Sequence, residues 1–336
     1  MVNFGIVGFG LHAVKRLMPG FRTARNCRVT ALSRRSLEQA RESARQHGIP
    51  LAFDSSESLC RSPEVDAVFV TTPNSCHLHD VLVAIKCGKP VLCEKPMALN
   101  GDECRQMVEA ARKASVLLGV AHIFRFDESV LRFREHLAAG QIGKPVFARS
   151  EFSLLVNADH LRKWVYDPLI AGGGPIPDVG VHCVDALRFI LQDEVVSVSA
   201  QATSDQLSGK VESAASMALE FSRGTMATVM VSFRSPYRTP LEIVGETGSL
   251  RADDGLSVDK PIVIEFRRGG NVKETETVSN SSAYTRQVEA FADAVEGKAP
   301  FIAPGEEGWK NQEVLDAAYR SIKSGKRERV HSIAAV

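Results

Sequence analysis

Along the first third of the chain, apolar residues come in short unbroken blocks, each followed by a stretch with helical spacing. The blocks are residues 4–7, 65–70, 91–93 and 116–120. Runs this short and without alternation suit strands buried on both faces. Residues 37–47, 75–87 and 102–114 have helical periodicity, and Gly48 and Gly88 close the first two. Strand and helix in alternation predict a parallel sheet with helices on both faces over residues 1–122, an α/β arrangement. Beyond about Phe147 the pattern changes. A strand at 146–154 leads through an irregular stretch to Gly172-Gly173-Gly174 and a helix at 178–191. Strand-like runs follow at 195–203, 214–221, 225–233, 241–244 and 262–267, with turn signals at Arg223-Gly224 and Thr247-Gly248. These predict one mostly antiparallel sheet. Helices at about 283–296 and 306–324 complete a second domain, residues 123–336.

The first block runs straight into Gly8-Phe9-Gly10-Leu11-His12-Ala13, a G-x-G-x-x-A pattern between strand and helix. Gly8 permits the tight turn, Gly10 lets the backbone approach a pyrophosphate, and Ala13 keeps the helix close to the sheet. The helix start adds N–H groups and the positive end of its dipole. These features predict dinucleotide binding. About twenty residues later, after a strand at 28–32, an NAD site places an acid for the ribose 2′-OH. Ser33, Arg34 and Arg35 stand there instead. A hydroxyl and two guanidinium groups suit a 2′-phosphate, so NADP is expected. NAD stays open, should Arg34 and Arg35 be ordinary solvated charges.

Composition narrows the class. With 336 residues, 44% hydrophobic and 24% charged, the chain is that of an ordinary two-domain globular protein. A net charge of +1 gives no reason to expect a nucleic acid or an anionic membrane as partner. No apolar run approaches the roughly 18 residues of a membrane span. The first strand begins within three residues, which leaves no room for a signal peptide. Seven cysteines, an odd number with no C-x-x-C, suit reduced thiols in the cytoplasm.

Three further stretches carry chemistry. Thr71-Thr72-Pro73-Asn74-Ser75-Cys76-His77 and Glu94-Lys95-Pro96 follow the fourth and fifth strands, at the carboxyl ends where ligands bind in open α/β sheets. Asp178-Val179-Gly180-Val181-His182 opens a helix of the second domain, with Asp178 and His182 four apart on one face. A metal site drawn from His182, Cys183, Asp178 and Asp185, or from His77 and His79, lacks zinc spacing, so no metal is expected. No G-x-S-x-G elbow supports a serine hydrolase.

In order and spacing, the chain resembles the Gfo/Idh/MocA family of NAD(P)-dependent oxidoreductases over essentially its whole length. The resemblance runs from the glycine pattern through T-P-N-x-x-H (Thr72 to His77), E-K-P (Glu94 to Pro96) and R-F (Arg125-Phe126). It continues in G-G-G-x-x-x-D-x-G-x-H-x-x-D (Gly172 to Asp185) and G-E-x-G-S-L (Gly245 to Leu250). It implies a Rossmann domain, then an α+β domain with an open, mostly antiparallel sheet. Lys95 would be the catalytic lysine, an ammonium on a proline-stiffened turn that can exchange a proton with the substrate oxygen. His182 would be a second proton-handling group, with Asp178 orienting it or bonding the substrate. Which of the two is the main relay stays open. The triple glycine would let the backbone approach a ligand. Thr71, Thr72, Pro73, Asn74, His77 and Glu94 would join the glycine turn around the cofactor, and His122, Arg125 and Trp164 would line the substrate side.

The implied reaction moves a hydride between NADP(H) and a carbonyl or secondary alcohol of a sugar, polyol or cyclic diol. A non-catalytic sensor of the same fold is the rival reading, although the chain keeps both Lys95 and His182. Action on a CH–CH bond is a third. A homodimer or homotetramer is implied too, joined through a sheet face where Met226, Thr228 and Met230 alternate with Ala227, Val229 and Val231. The chain departs from the family pattern at Pro175 and Pro177, which should delay the helix to Pro177 or later. His122-Ile123-Phe124 and Asp127-Glu128 are further departures, so no single relative's substrate can be copied.

Overall fold

A computed structural model of the chain describes residues 1–156, 163–205 and 210–333. The chain divides into two compact units, one of residues 1–123 with 282–309 and the other of 124–281 with 310 onward.

In the first unit six strands pair in parallel: β1 (Val2–Val7), β2 (Cys27–Ser33), β3 (Leu51–Phe53), β4 (Ala67–Val70), β5 (Val91–Cys93) and β6 (Leu118–Val120). Their order is β3-β2-β1-β4-β5-β6, the doubly wound Rossmann order. It reverses between β1 and β4, and the loops at the carboxyl ends of those two strands flank the resulting crevice. Helices α1 (Met18–Thr23), α2 (Leu37–His47), α3 (Ser56–Cys60), α4 (His77–Lys86) and α5 (Gly101–Ala114) make the crossovers. Side-chain caps set where they start. Ser36 accepts from the Gln39 N–H and Asn100 from the Glu103 N–H. The central strands carry unbroken apolar runs because both faces are covered, and Phe4, Ile6, Phe69 and Leu92 are fully buried.

Helix α9 (Ala283–Val295) belongs to this first unit, so the division is not the single cut after residue 122 that the sequence suggests. Phe291 packs against Phe4 and Phe301, with ring centroids 6.0 and 5.1 Å away. Asn26 donates to the Asp293 carboxylate and the Glu289 carbonyl. These are pairings across more than 260 residues, which no local pattern announces.

The second unit is a ten-stranded sheet with helices α6 (Glu128–Ala138), α7 (Pro168–Ala171) and α8 (Val181–Leu191). Its strands are β7 (Pro145–Leu155), β8 (Val195–Thr203), β9 (Ala214–Phe221), β10 (Met226–Ser232), β11 (Arg234–Arg238), β12 (Leu241–Gly245), β13 (Ser249–Ala252), β14 (Pro261–Arg268), β15 (Asn271–Ser279) and β16 (Glu328–Arg329). The order is β15-β14-β13-β12-β7-β10-β9-β8-β16, with β11 also on β7. Among the described residues of this unit, only β7 and β10 run parallel. Every residue of α8 is buried, so this is a central helix, packed on β7. The division between the units falls within α10 (Gly305–Ser324).

On the sheet's other face Phe147 and Met226 are 57% and 43% exposed, whereas Ala227, Val229 and Val231 are buried. That face is not apolar throughout. Arg149, Glu242, Arg251 and Glu265 stand opposite one another across β7, β12, β13 and β14, a ladder of alternating charge. Helix α6 and strands β11, β13, β15 and β16 are additional to the expected elements. Strand β15 has almost no buried residue and hence no apolar alternation to read. It is folded back onto β14 by Gly269 and Gly270, both at positive φ (58° and 79°), which is the backbone of a tight hairpin turn.

Candidate active site

The glycine turn sits at the carboxyl end of β1. Gly8 has φ 81°, and a Cβ there would come within 2.6–2.9 Å of Thr72 on the loop after β4. Beside Gly10 a Cβ would meet only the Gly8 carbonyl, at 3.6 Å, so the space next to its backbone is open. Residues 11–23 are helical, and the first N–H groups of a helix have no carbonyl of their own. Open backbone and unspent donors suit the pyrophosphate of a dinucleotide. Phe9, expected among the cofactor residues, uses its N–H on the Ser33 carbonyl (2.9 Å) and buries its ring. The helix is wide over Ala13–Leu17, a π turn just before Pro19. Proline has no N–H to give and crowds the preceding turn, so the Met18 N–H reaches back five residues to Ala13.

At the end of β2, Ser33 is buried, Arg34 half-buried and Arg35 exposed. The Arg34 guanidinium donates to Ser43 Oγ on α2 at 2.9 Å, which fixes it beside the strand end.

The loops after β4 and β5 are bonded to each other and to the glycine turn. Thr71 Oγ1 donates to the carbonyls of Val7 and Gly8. Asn74 is buried in the turn before α4. His12 Nε2 lies 2.8 Å from Glu94 Oε1, while Glu94 Oε2 accepts the Lys95 N–H at 3.2 Å. Burial pushes the Glu94 carboxyl up, but the His12 ring and the Lys95 ammonium and N–H outweigh that and hold it below its ordinary value. Lys95 is half-buried, and the Lys95–Pro96 peptide is cis.

His77 does not take the place expected of it. It is fully buried, with Nδ1 3.0 Å from the Pro96 carbonyl and Nε2 2.9 Å from the Thr72 carbonyl. Both ring nitrogens face carbonyls inside the protein, which ties the loop after β4 to the loop after β5. Burial pushes its pKa down, against the pull of the two carbonyls.

In the second unit, Asp178 lies in a π turn, Ile176–Gly180, that feeds α8. The turn begins one residue before Pro177, whose missing N–H costs nothing in a first turn. Asp178 is half-buried. His182 is 8% exposed, edge-on to Phe124 (4.7 Å) and stacked on Phe152 (5.8 Å). Trp164 packs partly buried against Val156, Val165 and Phe233. Two expected substrate residues are deeply buried: His122, in the first unit, is 1% exposed and Arg125 4%. Arg125 grips both oxygens of Asp185 (2.7–3.1 Å), a pair completed by Asn311 Nδ2 at 2.8 Å. Arg125 therefore holds the fold of this unit, because its fork is committed to a carboxylate on α8. Among the described residues no group of three His, Cys, Asp or Glu is placed to hold a metal ion.

Comparison with known proteins agrees with this fold. Residues 2–122 match the model of an oxidoreductase family with an NAD-binding Rossmann fold, and residues 130–251 match the GFO/IDH/MocA C-terminal domain. The chain belongs to the Gfo/Idh/MocA oxidoreductase family. It is 33% identical over 310 residues to 1,5-anhydro-D-fructose reductase of Ensifer adhaerens, covering 92% of each chain. It is also 33% identical over 329 residues to D-xylose 1-dehydrogenase (NADP(+)) 2 of Haloferax volcanii, covering 96% of this chain and 98% of that one. Among solved structures, aldose-aldose oxidoreductase from Caulobacter crescentus, complexed with glycerol, superposes with a TM-score of 0.89 at 25% identity. That match covers 98% of this chain and 99% of the other.

The His12–Glu94 contact gives this oxidoreductase a pH signature. A carboxyl held below its ordinary value stabilises the fold above the usual carboxylate range, and the contribution is lost as pH falls through the lowered folded value. In His12→Ala, burial of Glu94 is opposed by Lys95 alone. Urea unfolding should show wild type more stable than His12→Ala just above the carboxylate range, with the gap closing as the pH falls. A gap that ignores pH in that window would mean that His12 is not what keeps Glu94 charged.

Proposed function

We propose that this oxidoreductase uses NADP(H) to interconvert a carbonyl and a secondary alcohol on a sugar, polyol or cyclic diol. The observation that carries the reading is how the loops after β1, β4 and β5 close on one another around Lys95. Glu94 joins the lysine turn to His12, and His77 joins it to the Thr72 loop. Such a turn can hold an ammonium where a reacting oxygen needs a proton. The bound dinucleotide supplies the hydride acceptor or donor. Gly8, Gly10, Leu11 and His12 cradle its phosphates, with Thr71 to Asn74 and Glu94 on the nicotinamide side. Lys95 donates a proton to the oxygen during carbonyl reduction and removes it during alcohol oxidation. His182 and Asp178 of the second unit bind and orient the hydroxyl, and His182, walled by Phe124 and Phe152, passes the proton on. The relatives' names, a reductase of an anhydro sugar and a dehydrogenase of an aldose, favour a carbohydrate.

Preference for NADP rests on Ser33, Arg34 and Arg35, with Arg34 braced by Ser43. The chain keeps both Lys95 and His182, which favours an enzyme over a sensor. Seven free cysteines favour a reducing, cytoplasmic setting. For assembly, the exposed face around Phe147 and Met226 favours a homodimer or homotetramer.

Titrations should give a lower Kd for NADP(H) than for NAD(H). Arg34→Ala should weaken NADP(H) by about 1–3 kcal/mol, the scale of a hydrogen bond to a charged group, and leave NAD(H) nearly unchanged. Equal affinities would show both arginines to be solvated. Lys95→Ala should keep cofactor affinity while turnover on a panel of sugars and diols drops by roughly 10²–10⁴. His182→Ala should also slow the reaction, and the double variant should lose less than the two losses combined. Undiminished turnover in Lys95→Ala would remove the lysine from the mechanism. Light scattering should give a mass two or four times 36.6 kDa, and the monomer mass at micromolar concentration would reject the assembly.

A further inference from the structure

The triple glycine has a neighbour that the sequence gives no reason to expect. Glu212, just before β9, is 8% exposed and carries its carboxylate into the start of the π turn at Ile176–Gly180. Its Oε1 accepts the Ile176 N–H at 3.0 Å and the Tyr319 O–H at 2.9 Å. A Cβ on Gly173 would overlap the Tyr319 hydroxyl, and one on Gly174 would overlap the Glu212 carbonyl oxygen. Gly173 and Gly174 are thus filled from inside the protein. They leave room for a Glu–Tyr clasp on the N-terminal end of the helical segment bearing Asp178 and His182, and not for a ligand.

We propose that Glu212 is a positioning residue, which with Tyr319 fixes the turn that carries Asp178 and so sets the orientation of His182. This rests on the reading that Asp178 and His182 handle the substrate hydroxyl. A buried carboxylate is a costly group to place among glycines unless its acceptors are used. Here one bond comes from the segment that opens α8 and the other from a tyrosine wedged against it. Burial also pushes the Glu212 carboxyl up, which the Gly174 and Ile176 N–H groups and Tyr319 oppose. Gln at this position keeps an acceptor oxygen of the same reach, whereas Ala removes the clasp. A displacement of about 1 Å in a positioned catalytic group costs on the order of 10²-fold in rate.

Two readouts test this on the whole 336-residue chain. In the first, ¹⁵N-histidine NMR follows the His182 ring, identified by its absence from His182→Ala. Glu212→Ala should shift the His182 resonances and their titration, while Glu212→Gln and wild type overlay. NADP(H) affinity, measured by nucleotide fluorescence, should be equal in all three. In the second, kcat and KM are measured with NADP+ and a substrate that the wild type turns over in the panel of sugars and diols. Glu212→Ala should lose at least about tenfold in kcat/KM, and Glu212→Gln should restore most of it. Tyr319→Phe, which keeps the ring and removes one bond, should fall between them and covers the case in which Glu212→Ala does not fold. A His182 spectrum unmoved in both Glu212→Ala and Tyr319→Phe overturns the proposal. His182→Ala separates the two readings. Full activity in that variant defeats the assigned role of His182, whereas a slow His182→Ala beside an unimpaired, spectrally unchanged Glu212→Ala defeats the clasp alone.

Discussion

Two parallel strands that lie side by side and feed loops in opposite directions leave a gap at their ends, and in this protein that gap is closed to van der Waals distance. Gly8, after β1, abuts the backbone of Thr72, after β4, so tightly that one methyl group would collide with it. The approach brings the Thr71 hydroxyl onto the Val7 and Gly8 carbonyls. His12 then reaches Glu94 across 82 residues of sequence. Lys95 is held by the same construction, since its N–H is bound to the Glu94 carboxylate. The site on the nucleotide side is therefore a set of loops fixed to one another, each short and each unable to hold its residues alone. Loops preorganised in this way hold a polar group in place without the cost of reorganising its surroundings.

The second unit relies on a different device. Its central helix α8 is buried all round and yet carries charge. Asp185 is answered by Arg125 and Asn311, and Arg188 by Asn311 and by Glu194, which also binds Lys310. Stranding either member of the Arg125–Asp185 pair would cost about 3–5 kcal/mol, although the intact pair is worth far less because both charges were desolvated to make it. The pair favours one rotation of α8 over others, which matters because His182 lies one turn before Asp185. The R-F motif and the final Asp of the glycine-rich motif, read separately in the sequence, turn out to be the two halves of that pair.

Two residues of the expected site spend polar atoms inside the protein. His77 and Arg125 belong to recognisable motifs, but a motif marks the identity of a residue and not the direction in which its side chain points. His77 faces two carbonyls and Arg125 faces a carboxylate. The triple glycine was legible as a place of close approach. What approaches is Tyr319 and Glu212, which stand 107 residues apart in sequence and in no shared pattern.

The sequence by itself determined the elements whose physics is local. Unbroken apolar runs made buried parallel strands, helical spacing with Ser36, Asn100 and Gly48 made capped helices, and G-x-G-x-x-A made a turn open to a pyrophosphate. Local spacing also set Glu94-Lys95-Pro96 at a strand end and Asp178 and His182 four residues apart. Tertiary structure alone decided which distant groups meet: α9 returning to the first unit, Glu94 with His12, Arg125 with Asp185, Glu212 under the glycines. It also decided that β15, polar along nearly all its length, is a strand. Backbone conformation follows from neighbours along the chain, whereas a buried polar group takes its partner from whatever the topology brings within 3 Å.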